Sequence, residues 1–145
     1  MRALLQRVTR ASVRVGDEVV GSIGAGICAF VGVTHEDDVG VAGRLARRVW
    51  GLRIFADEDG LTNRSAEDLG LDILVVSQFT LYADTSRGRR PSFVGAAPPE
   101  QAEQLVDSLV ASLRELGATV ATGRFRAEMQ VELVNDGPFT IWLEA

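Results

Sequence analysis

The beginning of the chain alternates apolar and polar residues with a period of two, which is typical of β-strands with one buried face. Four such runs occupy residues 2–8, 11–15, 18–23 and 26–33, and short Thr-Arg, Gly-Asp and Gly-Ala connections separate them. Strands joined by such short connections pair in antiparallel fashion. The pattern therefore predicts an antiparallel meander over this part of the chain.

Two later segments repeat apolar residues at helical spacing. The first begins at Asp37 or Asp38, either of which can cap a helix, and extends to about Trp50. Its apolar positions recur at intervals of three and four residues: Val41, Leu45, Val49 and Leu52. The second helix follows the sequence APPE, where Pro99 suits a first turn, and it stops at Gly117.

The remaining apolar runs predict further strands. Residues 71–76 are almost continuously apolar, which indicates a strand buried on both faces. Four more strand-like runs read LRIFA, ATVAT, MQVELV and FTIWLE. Many strands and two helices without strict alternation indicate an α+β fold, with a curved, barrel-like sheet, antiparallel or mixed, and two main helices. At 145 residues without a low-complexity linker, the chain fits one domain, residues 1–145.

The last two strand-like runs are separated by NDGPFT, residues 135–140. Asp-Gly between alternating apolar residues is a strong hairpin signal, yet Pro138 has no N–H to give to a sheet. Either the turn is wide, or the Gly137-Pro138 peptide is shaped to contact something else. The dipeptide offers two carbonyl acceptors and no nucleophile, so it suits a steric role and not a catalytic one.

The composition excludes several kinds of chemistry. All 15 basic residues are arginines, so a Schiff-base lysine or a P-loop lysine is excluded. One His and one Cys cannot build a Cys/His zinc site, and we expect no metal. A Ser-His-Asp triad would need His35, which lies in the polar stretch GVTHEDD before a helix and is not favoured as a base. An enzyme of this composition must rely on hydroxyls, carboxylates, backbone amides or the substrate itself.

Charge and hydropathy limit the partners and the compartment. Twenty acidic against 15 basic residues give a net charge of −5, which disfavours a protein that holds nucleic acid by its overall charge. Cys28 lies in the apolar run GICAFVGV and is expected to be an inert core thiol. The chain shows no signal-peptide run of about 7–15 apolar residues and no stretch near the ~20 of a membrane helix. We expect a soluble, cytoplasmic protein with no membrane or DNA partner.

A group of polar side chains follows the buried strand of residues 71–76. Ser77, Gln78 and Thr80 surround Phe79. The end of a strand can hold hydroxyls, an amide and main-chain N–H groups in fixed directions, as an oxyanion site requires. The alternative is an ordinary strand that continues through FTLYA with alternating faces. Spacing alone does not decide between the two.

Two groups of arginines are candidate contacts for a polyanion. Arg87, Arg89 and Arg90 form a compact cluster in a Gly-containing loop of an acidic chain, which suits a phosphate backbone bound at one place only. A solvated loop explains this cluster equally well. The second group lies on one face of the first predicted helix, for which solvation is the simpler explanation: Arg44, Arg47 and Arg48.

Five colinear blocks over nearly the full length resemble the D-aminoacyl-tRNA deacylase family. SQFTL at residues 77–81, together with NDGPFT at residues 135–140, resembles the signature pair of that family. Three further matching blocks are QRVTRASV, RIFADEDG and ADTSRGRRPSF, and NDGPFT continues from the end of the fifth, TGRFRAEMQVELVNDGP. One match of five residues is a weak signal, whereas five blocks in the same order are a strong one.

The resemblance implies a homodimer that hydrolyses the ester of D-aminoacyl-tRNA, and of glycyl-tRNA mischarged on tRNA(Ala), without a cofactor. Main-chain amides around Phe79 and Thr80 are expected to hold the carbonyl oxygen of the ester, while Ser77 and Gln78 shape the site. Thr80 is a candidate nucleophile, but no His or Lys stands near it in the sequence to activate it. We therefore favour hydrolysis assisted by the 2′-hydroxyl of the substrate.

The resemblance also implies how handedness is sensed. The Gly137-Pro138 bond is cis in the family, and its carbonyls enter the pocket of the partner subunit, where they engage the substrate amino group and exclude L side chains. Arg7 resembles the residue that helps to hold this dipeptide. On the same basis, the cluster of residues 87–90 is expected to contact the tRNA.

Three positions depart from the usual family pattern, and all three concern pocket shape or packing: Thr62 in place of Met, Tyr82 in place of a smaller residue and Phe139 in place of Val.

Two other functions stay open at this stage. A dimeric barrel that binds a ligand or protein without catalysis leaves the two motifs unexplained. A deacylase that removes L-amino acids would need a differently arranged Gly-Pro pair.

Overall fold

The computed structural model describes all 145 residues of the chain. It contains eight β-strands, three α-helices and one 3-10 turn. The strands are β1 (Arg2–Val15), β2 (Glu18–Ile23), β3 (Gly26–Gly32), β4 (Phe55–Ala56), β5 (Thr62–Arg64), β6 (Asp72–Ser77), β7 (Val120–Thr122) and β8 (Gln130–Glu144). The helices are α1 (Val39–Trp50), α2 (Ala66–Leu69) and α3 (Pro99–Glu115), and the 3-10 turn is Phe79–Tyr82.

Six strands form one mixed sheet in the order β2-β1-β3-β6-β7, with β8 also paired to β1. The pairs β3–β6 and β6–β7 are parallel, whereas β1 is antiparallel to each of its three partners. The two ends of this order approach each other, because a Cβ on Gly21 of β2 would lie 2.3 Å from the Thr122 carbonyl oxygen of β7. The sheet is thus nearly closed into a barrel. The predicted α+β class, with a curved mixed sheet and two main helices, is confirmed.

The predicted meander is wrong, because the first two runs form the single long strand β1. Its first half pairs with β3, from Arg2 opposite Gly32 to Val8 opposite Gly26, and its second half pairs with β2. Thr9 and Arg10 do not interrupt the strand. Neither residue type supplies the positive φ of a tight hairpin turn, and both adopt extended backbone without cost.

The predicted hairpin at NDGPFT is also wrong, because β8 continues through it as one strand of 15 residues. Gln6 of β1 pairs with Thr140, and Val8 pairs with Asn135. The four residues 136–139 therefore lie opposite Arg7 alone, which makes a large bulge in the ladder. A bulge accommodates Pro138, which has no N–H to give to the neighbouring strand.

The core has two layers because alternate residues of β3 face opposite sides. Ile27 and Ala29 belong to the larger cluster, which α1 and α3 cover, and Cys28 belongs to a smaller cluster on the other side. Burial raises the pKa of the Cys28 thiol to about 12, so it stays protonated and inert, as expected. The buried residues of the two helices are Ala42, Leu45, Ala46, Val49, Trp50, Leu105, Val106, Leu109, Val110 and Leu113.

The helix ends agree with the sequence signals. The Asp38 carboxylate accepts a hydrogen bond from the Val41 N–H at 2.9 Å and caps α1. Pro99 opens α3, and Gly117 follows its end with a φ of 100°. The predicted strand LRIFA is reduced to the two residues of β4, whereas residues 71–76 lie almost entirely in β6. None of the helices combines the length and apolarity needed to cross a membrane.

The contact between β3 and β6 gives a test of the fold. A Cβ on Gly26 would lie 2.0 Å from the Asp72 carbonyl oxygen, so Gly26→Ala must displace backbone. We expect it to lower the free energy of unfolding by at least about 1–3 kcal/mol, measured by denaturant titration. Gly24→Ala is the matched control, because nothing lies within 4 Å of a Cβ there. Equal stabilities of the two variants would contradict this pairing.

Candidate active site

The polar residues after β6 form a turn and not a continuing strand. β6 ends at Ser77, which pairs with Val31 of β3, and the Gln78 N–H donates to the Val31 carbonyl at 2.7 Å. The chain then enters the 3-10 turn of residues 79–82, here called the Phe79 turn. The alternative of an uninterrupted strand through FTLYA is therefore excluded.

Two main-chain amides at the start of the Phe79 turn have no partner within it. The first hydrogen bond of the turn runs from the Leu81 N–H to the Gln78 carbonyl at 3.2 Å. As at the beginning of any helix, the preceding N–H groups, of Phe79 and Thr80, are left over. The Gln78 side-chain amide donates to the Thr80 hydroxyl oxygen, and no basic side chain contacts that hydroxyl. The turn thus offers amide donors and no activated nucleophile.

A cavity of about 720 Å³ opens beside this turn. Ser77, Gln78 and Phe79 line it, whereas Thr80 lies outside its lining. Other walls are mostly apolar and come from the start of α3, from the segment before β8 and from the beginning of β8: Pro98, Pro99, Ala102, Val106, Phe125, Arg126, Ala127, Met129 and Val131. Cavities of roughly 300–1,000 Å³ with apolar walls and a few polar groups are typical of small-ligand sites.

Two ionisable side chains, His35 and Arg126, line the cavity, and Tyr82 lies in the Phe79 turn outside that lining. The His35 Nε2 lies 2.8 Å from the Val94 carbonyl oxygen. Because a carbonyl only accepts, this nitrogen carries a hydrogen and is not the base of a triad. Burial, with a smaller contribution from the Asp37 carboxylate, raises the pKa of Tyr82 to about 12, so its phenol stays protonated at neutral pH. No group of three or more His, Cys, Asp or Glu side chains is arranged to hold a metal ion.

The Gly-Pro motif lies elsewhere on the chain. Gly137 and Pro138 are exposed on the β8 bulge, outside the lining of the cavity, and their peptide bond is cis. Arg7 holds the bulge: its Nε donates to the Asp136 carbonyl at 3.1 Å and lies 3.0 Å from the Asp136 carboxylate. Within one chain, the structure therefore brings Arg7 to the Gly-Pro motif but does not bring that motif to the Phe79 turn.

Arg7 makes further contacts that fix its guanidinium. Its Nη1 donates to the Ile54 carbonyl at 2.6 Å, and the guanidinium lies 4.0 Å from the centre of the Phe139 ring. Its side chain is only 14% exposed. Phe139, one of the departures from the family pattern, thus stacks on Arg7. Of the other two, Tyr82 lies under Arg2 at 4.4 Å, and Thr62 is exposed in β5.

The arginine cluster of residues 87–90 lies at the tip of an exposed loop. The base of the loop is closed by two backbone hydrogen bonds between Asp84 and Ser92, at 2.8 and 2.9 Å. Hydrogen bonds from Ser86 hold the pKa of the Asp84 carboxyl below its usual value. None of Arg87, Arg89 and Arg90 forms a salt bridge. These side chains are therefore free to bind an anion.

The α1 arginines are exposed as well. Arg48 donates to the Glu144 carbonyl, and Arg44 and Arg47 have no carboxylate partner.

Residue patterns alone missed several lining residues of the cavity. Phe93 belongs to the block ADTSRGRRPSF, and Phe125 and Met129 belong to TGRFRAEMQVELVNDGP, so only the family-like blocks marked them. His35 had no such signal.

Comparison with known proteins identifies the family. The model of the D-Tyr-tRNA(Tyr) deacylase family matches residues 4–144. A D-aminoacyl-tRNA deacylase of Nocardia farcinica (strain IFM 10152) is 61% identical over 148 residues, and the match covers 100% of both chains. One of Roseiflexus sp. (strain RS-1) is 59% identical over 145 residues, covering 100% of this chain and 94% of that relative.

Two solved structures share the fold. One, described as a c-Myc DNA unwinding element binding protein, is 43% identical with a TM-score of 0.94, and the match covers 100% of this chain and 99% of the chain in that structure. The other, described as a probable eukaryotic D-amino acid tRNA deacylase, is 17% identical with a TM-score of 0.85, and the match covers 98% and 97% of the two chains. This second likeness concerns the fold alone. With the family model and the close relatives, these findings show that the chain belongs to the D-Tyr-tRNA(Tyr) deacylase family, a family of hydrolases that act on D-aminoacyl-tRNA.

Proposed function

We propose that the cavity beside the Phe79 turn binds the aminoacylated 3′ end of tRNA and that the ester is hydrolysed there. Water adds to the ester carbonyl carbon, the bond to the ribose oxygen breaks, and a free D-amino acid and tRNA are released. The unused N–H groups of Phe79 and Thr80 stabilise the negative charge that develops on the carbonyl oxygen. The observation that carries this proposal is the pair of unused amides in a turn whose first residue, Phe79, lines an apolar cavity.

The substrate supplies the proton transfer in this proposal. Neither Ser77 nor Thr80 has a basic partner, the Nε2 of His35 is a donor, and the pKa of Tyr82 is too high for a base at neutral pH. We therefore assign the proton relay to the 2′-hydroxyl of the terminal adenosine, which adjoins the ester in the substrate itself. One oxyanion donor contributes roughly 2.7–4 kcal/mol, which suffices for an already activated ester. Glycine esters, including glycyl-tRNA(Ala), lack a side chain and fit the same site.

Selection of the D-enantiomer is proposed to need two copies of the chain. Gly137 and Pro138 present exposed backbone on the β8 bulge, outside the lining of their own cavity. In a homodimer they enter the cavity of the partner, where their carbonyls bind the substrate amino group and leave no room for an L side chain. Arg7 holds the bulge in the required position. Rigid backbone is suited to this purpose because it cannot swing aside.

The tRNA body is proposed to contact the cluster Arg87, Arg89 and Arg90, which carries three free guanidinium groups next to the Phe79 turn in sequence. Binding at one basic loop is compatible with a net charge of −5, since guanidinium groups bind phosphates locally. The reaction belongs in the cytoplasm, together with translation.

Release of amino acid from D-tyrosyl-tRNA and L-tyrosyl-tRNA, with a chelator present, tests the proposal. We expect rapid release from the D ester only. No release from either ester would support a binding protein without catalysis, and preferential release from the L ester would support a deacylase of opposite handedness. Loss of D activity on addition of chelator would contradict a reaction without metal.

Thr80→Ala separates the roles of the hydroxyl and the amide. The variant keeps the N–H of residue 80 and removes the hydroxyl that accepts from Gln78. We expect kcat for D-tyrosyl-tRNA to fall by no more than about tenfold, because one neutral hydrogen bond contributes about 0.5–1.5 kcal/mol. Abolished turnover, or a covalent aminoacyl-enzyme trapped on the wild type only, would identify Thr80 as a nucleophile.

A further inference from the structure

The segment between the Phe79 turn and α3, residues 83–98, is held along its second half by residues 33–35. The Ala97 N–H donates to the Val33 carbonyl at 2.9 Å, and the Thr34 hydroxyl donates to the Gly95 carbonyl at 2.7 Å. The ring of His35 donates from Nε2 to the Val94 carbonyl at 2.8 Å. This last bond adjoins Phe93 in sequence, and both His35 and Phe93 line the cavity.

Phe93 connects this segment to the Phe79 turn. Its ring packs edge-on against the ring of Phe79, with 5.1 Å between the centroids and 71° between the planes. Both rings line the cavity, and both are partly exposed, at 56% for Phe79 and 39% for Phe93. Such an aromatic pair contributes about 0.5–1.5 kcal/mol beyond the area it buries. A shift of residues 93–94 would therefore loosen one side of the Phe79 turn.

The backbone of His35 is itself fixed from α3 and from its own loop. The Gln101 side-chain amide donates to the carbonyls of His35 and Asp37 at 3.0 and 3.3 Å, and the Thr34 N–H donates to the Asp37 carboxylate at 2.8 Å. The imidazole thus extends from a rigid base toward Val94. Because His35 is exposed, its removal leaves no hole in the core.

We propose that His35 is a positioning residue for the reaction. Its hydrogen bond to Val94 keeps Phe93 against Phe79 and so fixes the direction of the Phe79 and Thr80 amides. The role rests on the function proposed above, because orientation of these amides matters only if they bind an oxyanion. His35 acts through Val94 and Phe93 and does not transfer a proton.

Kinetics on two substrates test this role. For His35→Ala we expect kcat to fall about three- to tenfold, the equivalent of one hydrogen bond, with unchanged KM, on both D-tyrosyl-tRNA and D-tyrosyl-adenosine. His35→Gln should restore kcat, since its amide N–H can reach the same carbonyl. Glu36→Ala is the matched control: it is the exposed neighbour and makes no hydrogen bond. Wild-type kcat in His35→Ala, or equal losses in the Ala and Gln variants, would overturn the proposal.

Hydrogen exchange distinguishes failure of this inference from failure of the proposed function. Amides in the peptide covering residues 77–83 should exchange faster in His35→Ala than in wild type or His35→Gln. If the wild type hydrolyses neither D-tyrosyl-tRNA nor D-tyrosyl-adenosine, the proposed function fails. Faster exchange in His35→Ala would still show that His35 stabilises the Phe79 turn. Unchanged exchange in His35→Ala would show that His35 does not stabilise the turn, whatever the activities of the variants are.

Discussion

Phe79→Pro is expected to lower kcat for D-tyrosyl-tRNA by about 10²–10³ relative to Phe79→Ala, the cost of losing one oxyanion donor. Both variants lose the aromatic ring, but only proline also removes the N–H. The fold should tolerate the change, because residue 79 opens the 3-10 turn and its N–H serves no bond within it. Gln78 has a φ of −146° and a ψ of 78°, which lies outside the α region that a following proline disfavours.

Single-turnover measurement of ester cleavage, with thermal unfolding of each variant alongside, checks this prediction. The two variants should unfold at similar temperatures while their rates differ. Equal rates for the proline and alanine variants would mean that the Phe79 N–H does not face the reacting carbonyl. In that event Thr80 would be left as the only amide donor of the turn.

The fold was predictable wherever burial set the pattern. The helix α1 and its Asp38 cap, the helix α3 and the buried strand β6 all follow from periodicity and end signals. The two errors have a common physical origin. At Thr9 and Arg10, and again at Asp136 to Phe139, local sequence signals suggested a turn, but pairing with partners distant in sequence kept β1 and β8 continuous. Such long-range pairing is not encoded in short windows.

The site was predictable only in part. The polar residues 77–80 after a buried strand suggested amide donors, and the strand does end at Ser77. The proximity of Arg7 to the Gly-Pro motif followed from the family resemblance, since 129 residues separate Arg7 and Asp136. His35 was considered only as a disfavoured base, and a family-like block alone marked Phe93, because both reach the cavity through loops whose paths depend on the tertiary fold. The proposed chiral selection also needs a second chain, and the periodicity of a single sequence contains no information about which surfaces two chains would bring together.

Arg7→Ala is expected to reduce the preference for D- over L-tyrosyl-tRNA about ten- to hundredfold, since hydrogen bonds of charged groups contribute about 1.5–3 kcal/mol each. Without Arg7, the bulge residues Asp136 and Phe139 lose their contacts with the guanidinium, and the link from that guanidinium to the Ile54 carbonyl is lost as well. Arg7→Lys should be intermediate, because an ammonium group cannot donate to Asp136 and Ile54 in the same planar geometry. The ratio of kcat/KM for the two esters is the measurement.

Arg10→Ala is the control for this change. Arg10 lies on the same strand, is exposed, and forms only a 3.8 Å ion pair with Glu132, so neither stability nor selectivity should change. An Arg7→Ala protein that is folded and keeps the wild-type ratio would show that the bulge does not select between enantiomers.

Mixed dimers decide whether the bulge acts within its own chain or across the subunit boundary. In a dimer of one Phe79→Pro chain and one Arg7→Ala chain, action across the boundary leaves one site with both an intact turn and an intact bulge. Such a dimer should have about half the wild-type rate with full D selectivity, because the two sites of a symmetric dimer are equivalent. If the bulge acted within its own chain, the one active turn would lie on the chain that lacks Arg7, and selectivity would stay as poor as in the Arg7→Ala homodimer. Differently tagged chains, co-expressed and purified on both tags, supply the mixed species, and the ratio for the two esters separates the two arrangements.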